Sequence, residues 1–447
     1  MNLRKEAYFY VIKLFRGIEL GKYYEQYWHE IQAGIPTDTT KRSLESLLVH
    51  CQKNVPYYAE IMKRLGNSYH NDPIEYISRF PVLTKEIIQN NFDSLKSKDL
   101  DSRKWFYMTS GGSTGKPGRV IQDYEYSAKA GAIQLLYSRL VGRETGDLEV
   151  YVWGSEKEVN QGRENWKARL STQLTNSTFF NAFKMPPQRM NEIIDFINKR
   201  KPKLIVAYAE SIYDLALYIE ENKLQIVPQT AIMTSAGTLY PFMREKLEQV
   251  FQCKVYNRYG SREIGNIACE RPGYKGLWVA PWANYIEIVN EEQKTVPDGQ
   301  DGEIIITSLI NYALPLIRYK IDDRGSLLPR ELQNPASNEQ IIADISGRSI
   351  ATFKTKDGGY VSPGYLMVII SEEKWIKQYQ VIQKNFSHIV YKLVLTDLNY
   401  PPEKLEEIRR KTRAAFGQEC QVDFEFVDEI PPSNSGKYIL AINEMKN

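Results

Sequence analysis

The stretch Tyr107 to Val120, YMTSGGSTGKPGRV, gathers the residue types that hold an anion. Gly111, Gly112 and Gly115 lack the Cβ that would keep backbone N–H groups from turning toward a phosphate. Ser110, Ser113 and Thr114 add hydroxyl donors, and Lys116 supplies a point charge. The loop is not a Walker A sequence, because Gly111 and Gly115 enclose only Gly112, Ser113 and Thr114, and Pro117 follows Lys116. A phosphate cradle and a solvated Gly/Ser turn both remain open at this level. Trp105 to Met108 and Arg119 to Gln122 predict extended segments on either side of the loop.

Three further stretches could do chemistry. In YGSREIG, Tyr259 to Gly265, Gly260 permits a sharp turn after a strand and Glu263 projects just beyond it. A lone carboxylate there suits Mg²⁺, which keeps its waters and takes one or two protein carboxylates, or it is an acid in the first turn of a helix. The run Gly302 to Gly325 ends in Asp322-Asp323 directly after an expected strand, where an aspartate can bind a ribose diol. Adjacent residues of an extended chain point opposite ways, so at most one faces a ligand. Near the end, PPSNSGKY carries Lys437, a solvated lysine or a closing phosphate clamp. The histidines, His29, His50, His70 and His388, match no metal-ligand spacing, and no serine lies in a G-x-S-x-G elbow.

The elements that must position these groups follow from pattern. The 447 residues exceed one hydrophobic core, so two or three domains are expected. A composition of 42% hydrophobic and 25% charged residues is that of a soluble globular protein, and a net charge of +3 argues against a nucleic-acid partner. Cys51, Cys253, Cys269 and Cys420 are scattered, which suggests a reducing, cytoplasmic setting without a zinc site. No run predicts a signal peptide or a transmembrane helix. Tyr8 to Leu20 could form an amphipathic helix, resting on a membrane surface or packed on its own domain.

Leu44, Leu47, Leu48 and Cys51 share one helical face, in a run closed by Asn54 and Pro56. Thr84 and Asp123 read as N-caps, the latter of a helix from Tyr124 to about Leu140. Short strands at Leu148 to Trp153, Leu204 to Tyr208, Ala231 to Thr234 and Lys254 to Arg258 alternate with helices at Gln188 to Lys199, Ser211 to Glu221 and Pro241 to Phe251. That alternation predicts an α/β layer, largely parallel, with sites beyond the carboxyl ends of the strands. Tyr285 to Val289, Glu303 to Leu309 and Leu316 to Lys320 predict a β-rich part. The expected division is a large amino-terminal domain, residues 1–346, and a small α+β carboxy-terminal lid, 347–447.

Together these stretches resemble the adenylate-forming superfamily, in the phenylacetate-CoA ligase-like branch that includes adenylating enzymes of capsular-polysaccharide biosynthesis. VPYYAEI and FPVLTKEII resemble amino-terminal signatures of that branch, SGGSTGKPGR its phosphate loop and YGSREIG its magnesium motif. LPLIRYKIDDRG resembles the ribose-binding segment, and IKQYQVIQ a signature of the carboxy-terminal domain. The resemblance implies that Ser110 to Lys116 hold the β and γ phosphates of ATP, that Glu263 binds Mg²⁺, and that Asp323 binds ribose. It implies Ser235, Ala236, Gly237, Tyr259, Gly260 and Ser261 around the nucleotide, Arg348 at the domain junction and Lys437 as catalytic lysine. For the acid it implies a pocket of Trp153, Gly154, Tyr208 and Ser211.

The chain departs from the branch at Asp322, where glycine is usual, at Thr238, where glutamate is common, and at Ile350-Ala351, where an acidic pair follows the junction. The implied reaction joins a carboxylic acid to AMP with release of pyrophosphate. The acyl group then passes to an amine, such as one on a polysaccharide sugar or its precursor, or to the thiol of coenzyme A. A nucleotide-binding subunit without chemistry is the remaining reading.

Overall fold

The structure, a computed structural model, describes residues 3–109, 119–153, 166–182, 185–235, 237, 239, 241–333, 339–348, 353–356, 360–361, 365–366, 369–370, 373, 375–396, 400–430 and 441–445. It divides into two compact units. The first comprises Met1–Gly111, Gly118–Ile321 and Gly325–Asp344, and the second contains Asp322–Arg324 and Ile345–Asn447. The fold is α/β, with a large sheet-and-helix body and a small α+β carboxy-terminal unit.

A hairpin of β1 (Trp105–Thr109) and β2 (Arg119–Asp123) forms its own two-stranded sheet. The main sheet has 11 strands. Its first half contains β3 (Glu149–Val152), β4 (Ser177–Phe180), β5 (Leu204–Tyr208), β6 (Ala231–Ser235) and β7 (Lys254–Ser261), paired in parallel in the order β4-β3-β5-β6-β7. The near-continuous apolar composition of these strands is what a sheet covered on both faces requires. Alternate side chains of β5 divide between two cores. Ile205 and Ala207 pack with Ile193, Ile197, Ile212 and Leu215 from the helices Pro187–Arg200 and Ala209–Glu221. Leu204 and Val206 pack with Tyr24, Tyr27, Ile133 and Leu136 from the helices Leu20–Ala33 and Tyr124–Leu140.

Beyond β7 the sheet turns antiparallel through β8 (Gly265–Cys269) and β9 (Leu277–Val279). It continues through β13 (Ile341–Arg348), β12 (Tyr319–Leu327), β11 (Gly302–Ser308) and β10 (Asn284–Val289). Here one expectation fails. The apolar run Leu316 to Lys320 is not a strand, which begins only at Tyr319 and carries Asp322 and Asp323 inside it rather than after it. Leu314, Leu316 and Ile317 are buried as a connection whose polar groups are met locally, the Ile317 amide donating to the Tyr58 hydroxyl at 3.1 Å. Arg318 then turns the chain with a φ of +53°.

The Arg318 side chain is buried at this turn. It donates to Glu287 Oε2 at 3.2 Å, to the carbonyls of Ser78 and Phe80 at 2.9 and 2.7 Å, and to that of Gln293 at 3.2 Å. It thereby ties the amino-terminal helical region to the antiparallel half.

Two helical expectations also change. The amphipathic segment Tyr8 to Leu20 is broken: one helix, Leu3–Arg16, ends at Gly17, whose φ of +67° leaves the helix, and a second starts at Leu20. Pro56 does not merely end the helix Thr39–Asn54 but opens another, Pro56–Leu65, at the first-turn position where a missing N–H costs nothing.

In the carboxy-terminal unit, β14 (Phe353–Lys354) pairs with β15 (Tyr360–Val361). A four-stranded sheet runs in the order β18 (Gln421–Phe426), β17 (His388–Leu395), β16 (Ile376–Asn385) and β19 (Ala441–Asn443). Helix Pro402–Phe416 packs on it, with Tyr391 and Thr412 sharing a buried hydroxyl contact at 2.5 Å.

Candidate active site

The glycine-rich loop is the connection of the β1–β2 hairpin, whose last described pair is Thr109 opposite Arg119. Its base is clamped. Asp123 caps the helix Tyr124–Leu140 by accepting from the Tyr126 amide at 2.7 Å, and its other carboxylate oxygen accepts from Arg103 at 2.7 Å. Arg103 also binds both oxygens of Asp99, at 3.0 and 2.8 Å, and this contact holds the Asp99 carboxyl down at about 2. A depressed acid contributes stability that is complete above its unfolded pKa, near 4, and is lost as pH falls through its folded value. We therefore expect the stability gap between the native chain and Asp99→Asn to close between about pH 4 and pH 2 in acid titrations of thermal stability.

Glu263 sits in the turn Arg262–Glu263–Ile264 between β7 and β8, with Ser261 paired to Gly265. This is a hairpin turn, so the reading as a helix's first turn falls away. Gly265 closes it with a φ of +82°, the left-handed residue typical of such three-residue connections. Ser261 Oγ accepts from the Ile264 amide at 3.1 Å. Two groups from the loop-bearing segment then fix its outer carbonyls. Gln122 Nε2 donates to Arg262 O and Glu263 O, both at 3.3 Å, and the Tyr126 hydroxyl donates to Ile264 O at 3.0 Å. The carboxylate turn and the base of the glycine-rich hairpin are thus one hydrogen-bonded assembly.

Neither Gln122 nor Tyr126 was singled out from the sequence. A glutamine on a strand and a tyrosine on a helix carry no motif, and only the tertiary contact reveals their use. A Cβ on Gly265 would lie 2.5 Å from the Tyr126 hydroxyl, and one on Gly260 2.6 Å from Gly265 O. Gly265→Ala is expected to displace the turn at a cost of about 1–3 kcal/mol, from strain at positive φ and loss of the tyrosine bond. The check is chemical denaturation; unchanged stability would contradict the clamp.

The remaining described candidates lie at the carboxyl ends of the parallel strands. Tyr208 and Ser235 are paired at the ends of β5 and β6, and Trp153 follows the end of β3. The Trp153 and Tyr208 rings lie 4.3 Å apart between centroids. Arg258, on β7 and buried, places its guanidinium 5.6 Å from the Trp153 ring centre. Sequence reading missed Arg258, since its lack of a motif makes it an ordinary strand residue until the sheet order is known. Ser211 donates instead to Ala182 O at 3.3 Å. Gly237 and Tyr259 are half-buried beyond β6 and on β7. An open cleft of about 720 Å³ lined by Glu220, Lys223, Gln225 and Gln252 lies where the chain enters β6 and β7, at the opposite edge.

Asp322 and Asp323 group with the second unit. Asp322 takes a φ of +69°, a conformation natural to glycine and accessible to aspartate, at the position where the resemblance placed glycine. Arg348 ends β13. Ser110, Gly111, Gly112, Ser113, Thr114, Gly115, Lys116, Gly154, Ala236, Thr238, Ile350, Ala351 and Lys437 lie outside the described residues.

Over 433 residues, 95% of this chain and 94% of the relative, the sequence is 25% identical to Protein CapK of Staphylococcus aureus. The family model of the CapK C-terminal domain matches residues 353–444. Phenylacetate-coenzyme A ligase of Aromatoleum evansii is 24% identical over 316 residues, 67% of each chain. The fold matches a crystal structure of 2-hydroxyisobutyryl-CoA ligase in complex with 2-HIB-AMP and CoA, with a TM-score of 0.60 over 92% of this chain and 91% of that one, at 16% identity. The chain is thus similar in sequence to CapK and to phenylacetate-coenzyme A ligases, and in fold to an acyl-CoA ligase.

A lone carboxylate on a turn, as Glu263 is, is a donor of the kind that Mg²⁺ takes when phosphate oxygens and water supply the rest of its shell. Among the described residues no group of three or more His, Cys, Asp or Glu side chains could hold a metal ion. Among the described residues no helix is long and apolar enough to cross a membrane.

Proposed function

We propose that this protein joins a carboxylic acid to AMP at the expense of ATP and passes the acyl group to an amine acceptor in surface, capsular polysaccharide modification. The observation that carries the first half is the row formed by Trp153, Tyr208, Ser235 and the Glu263 turn at the carboxyl edge of the sheet, the position at which open α/β sheets hold ligands.

The carboxylate oxygen attacks the α-phosphorus, a P–O bond forms, the bond to the bridging oxygen breaks, and pyrophosphate leaves with the electron pair. Trp153 and Tyr208 offer ring faces to the body of the acid. Ser110 to Gly115 hold the β and γ phosphates, Lys116 screens the leaving group, and Asp323 holds ribose. Glu263 would hold Mg²⁺, which when bound neutralises phosphate charge. Residues 1–346 form the ATP and acid domain, and residues 347–447 the mobile domain that brings Lys437 to the α-phosphate. The setting is cytoplasmic, where ATP is available.

The amine acceptor is our reading of the branch resemblance; the similarity to CapK, which covers 95% of the chain and includes the carboxy-terminal domain family, supports kinship without naming an acceptor. A second acceptor, the coenzyme A thiol, is favoured by the kinship to phenylacetate-coenzyme A ligases over two-thirds of the chain. Acid-dependent exchange of labelled pyrophosphate into ATP, run over a panel of aryl, amino and hydroxy acids, is expected to find at least one strong substrate. Silence across the panel would revive a nucleotide-binding subunit without chemistry. With the acid known, CoA-dependent loss of acyl-AMP in a thioester assay would reverse the order of acceptors.

A further inference from the structure

Helix Leu3–Arg16 presents two apolar faces, and among the described residues only one is packed. Ile12 is buried, and Tyr8 and Phe9 pack against the core beside Tyr24. On the opposite face Leu3, Tyr10 and Leu14 are 69%, 67% and 62% exposed. Their spacing puts them in one stripe along the helix, directly across from Ile12. An isolated exposed leucine needs no explanation; a stripe of three on a helix already anchored by its other side does.

The charges choose the occupant. The helix carries Arg4, Lys5, Lys13 and Arg16 against Glu6 alone. Helical geometry places Arg4 and Lys13 on the two flanks of the stripe; Arg4 donates to Gly146 O at 3.3 Å and Lys13 pairs with Glu19 at 2.9 Å, both exposed contacts of the kind worth little in water, which headgroup anions can replace. A second copy of the chain would bring these like-charged flanks together in an isologous pairing. Three side chains also supply far less than the roughly 1,200–2,000 Å² that a stable protein interface buries.

We propose that this face docks on an anionic lipid surface, with Leu3, Tyr10 and Leu14 entering the interface and Arg4 and Lys13 meeting headgroup charge. Lysine 5 pairs with Glu25 at 2.7 Å and keeps the helix tied to its neighbour while the outer face is occupied. The attachment is peripheral and reversible, because few apolar groups enter and the remainder is electrostatic.

The test is flotation of the full chain with vesicles of phosphatidylcholine alone or mixed with phosphatidylglycerol. We expect co-flotation with the anionic vesicles at low salt, loss at high salt, and a drop of about tenfold or more in the triple variant Leu3→Ser, Tyr10→Ser, Leu14→Ser. Arg4→Gln with Lys13→Gln should weaken binding while leaving thermal stability close to native. Pyrophosphate exchange should be unchanged in both variants, which separates this surface from the acylation reading. Equal flotation of native and triple-variant protein, or none by the native chain, would overturn the proposal. So would a native dimer that the triple variant converts to monomer, since a second copy would then be the occupant.

Discussion

Lys437→Ala is expected to lower acid-dependent pyrophosphate exchange by about 10²–10³, the usual loss when one preorganised charge donor is removed from a reacting centre. Both partners in the proposed adenylation are anions. The carboxylate must approach an α-phosphate, and further negative charge gathers on the bridging oxygen as the bond to pyrophosphate breaks. A cation between the two reactants is stronger in the transition state than in either ground state, so its removal should fall on the rate more than on ATP binding. An unchanged exchange rate in a folded Lys437→Ala protein would take this lysine out of the mechanism. An unchanged melting temperature would show that the loss is chemical and not structural.

Arg318→Met should destabilise the large unit by about 3–5 kcal/mol, measured by urea unfolding, because it leaves a buried carboxylate without its cation. Arg318 and Glu287 are 4% and 3% exposed at the side chain, so neither can fall back on water. Among the described residues Glu287 Oε1 has no hydrogen-bond partner, and burial already raises its pKa despite the guanidinium. Three backbone carbonyls, those of Ser78, Phe80 and Gln293, lose their donor as well. The sign with pH follows. Protonation removes the cost of the stranded charge, so the deficit should narrow as pH falls toward the carboxylate range and widen as it rises. Replacing both partners, Arg318→Met with Glu287→Met, should return part of the loss. If the double variant is no more stable than the single one, the ion pair is not the cause.

Much of the scaffold could be read from local pattern. Asp123 and Thr84 cap helices because a short oxygen-bearing side chain can reach a free amide in the first turn, and both do so here. Leu44, Leu47, Leu48 and Cys51 all face the core because a helical period puts them on one side. The strands Leu204–Tyr208 and Ala231–Ser235 were legible because both faces of a parallel strand are apolar. The failures share a cause. Leu316 to Lys320 has strand composition, yet burial of Leu316 and Ile317 needs only an apolar environment, and the turn at Arg318 depends on Glu287 and on carbonyls distant in the chain.

For the chemistry the division is similar. The types and order of the glycine-rich loop, YGSREIG, the aspartate pair and Lys437 are local facts of the chain, and they carry the resemblance to adenylate-forming enzymes. That Glu263 occupies a hairpin turn, held by Gln122 and Tyr126, depended on the long-range pairing of β7 with β8 and the approach of a separate hairpin. So did the approach of Arg258 to Trp153, and of Trp153 to Tyr208, residues at or just past the ends of separate strands. Side-chain chemistry is written residue by residue and can be read directly. Its convergence is a product of sheet order, which is set by burial summed over the whole body, and no single stretch contains it.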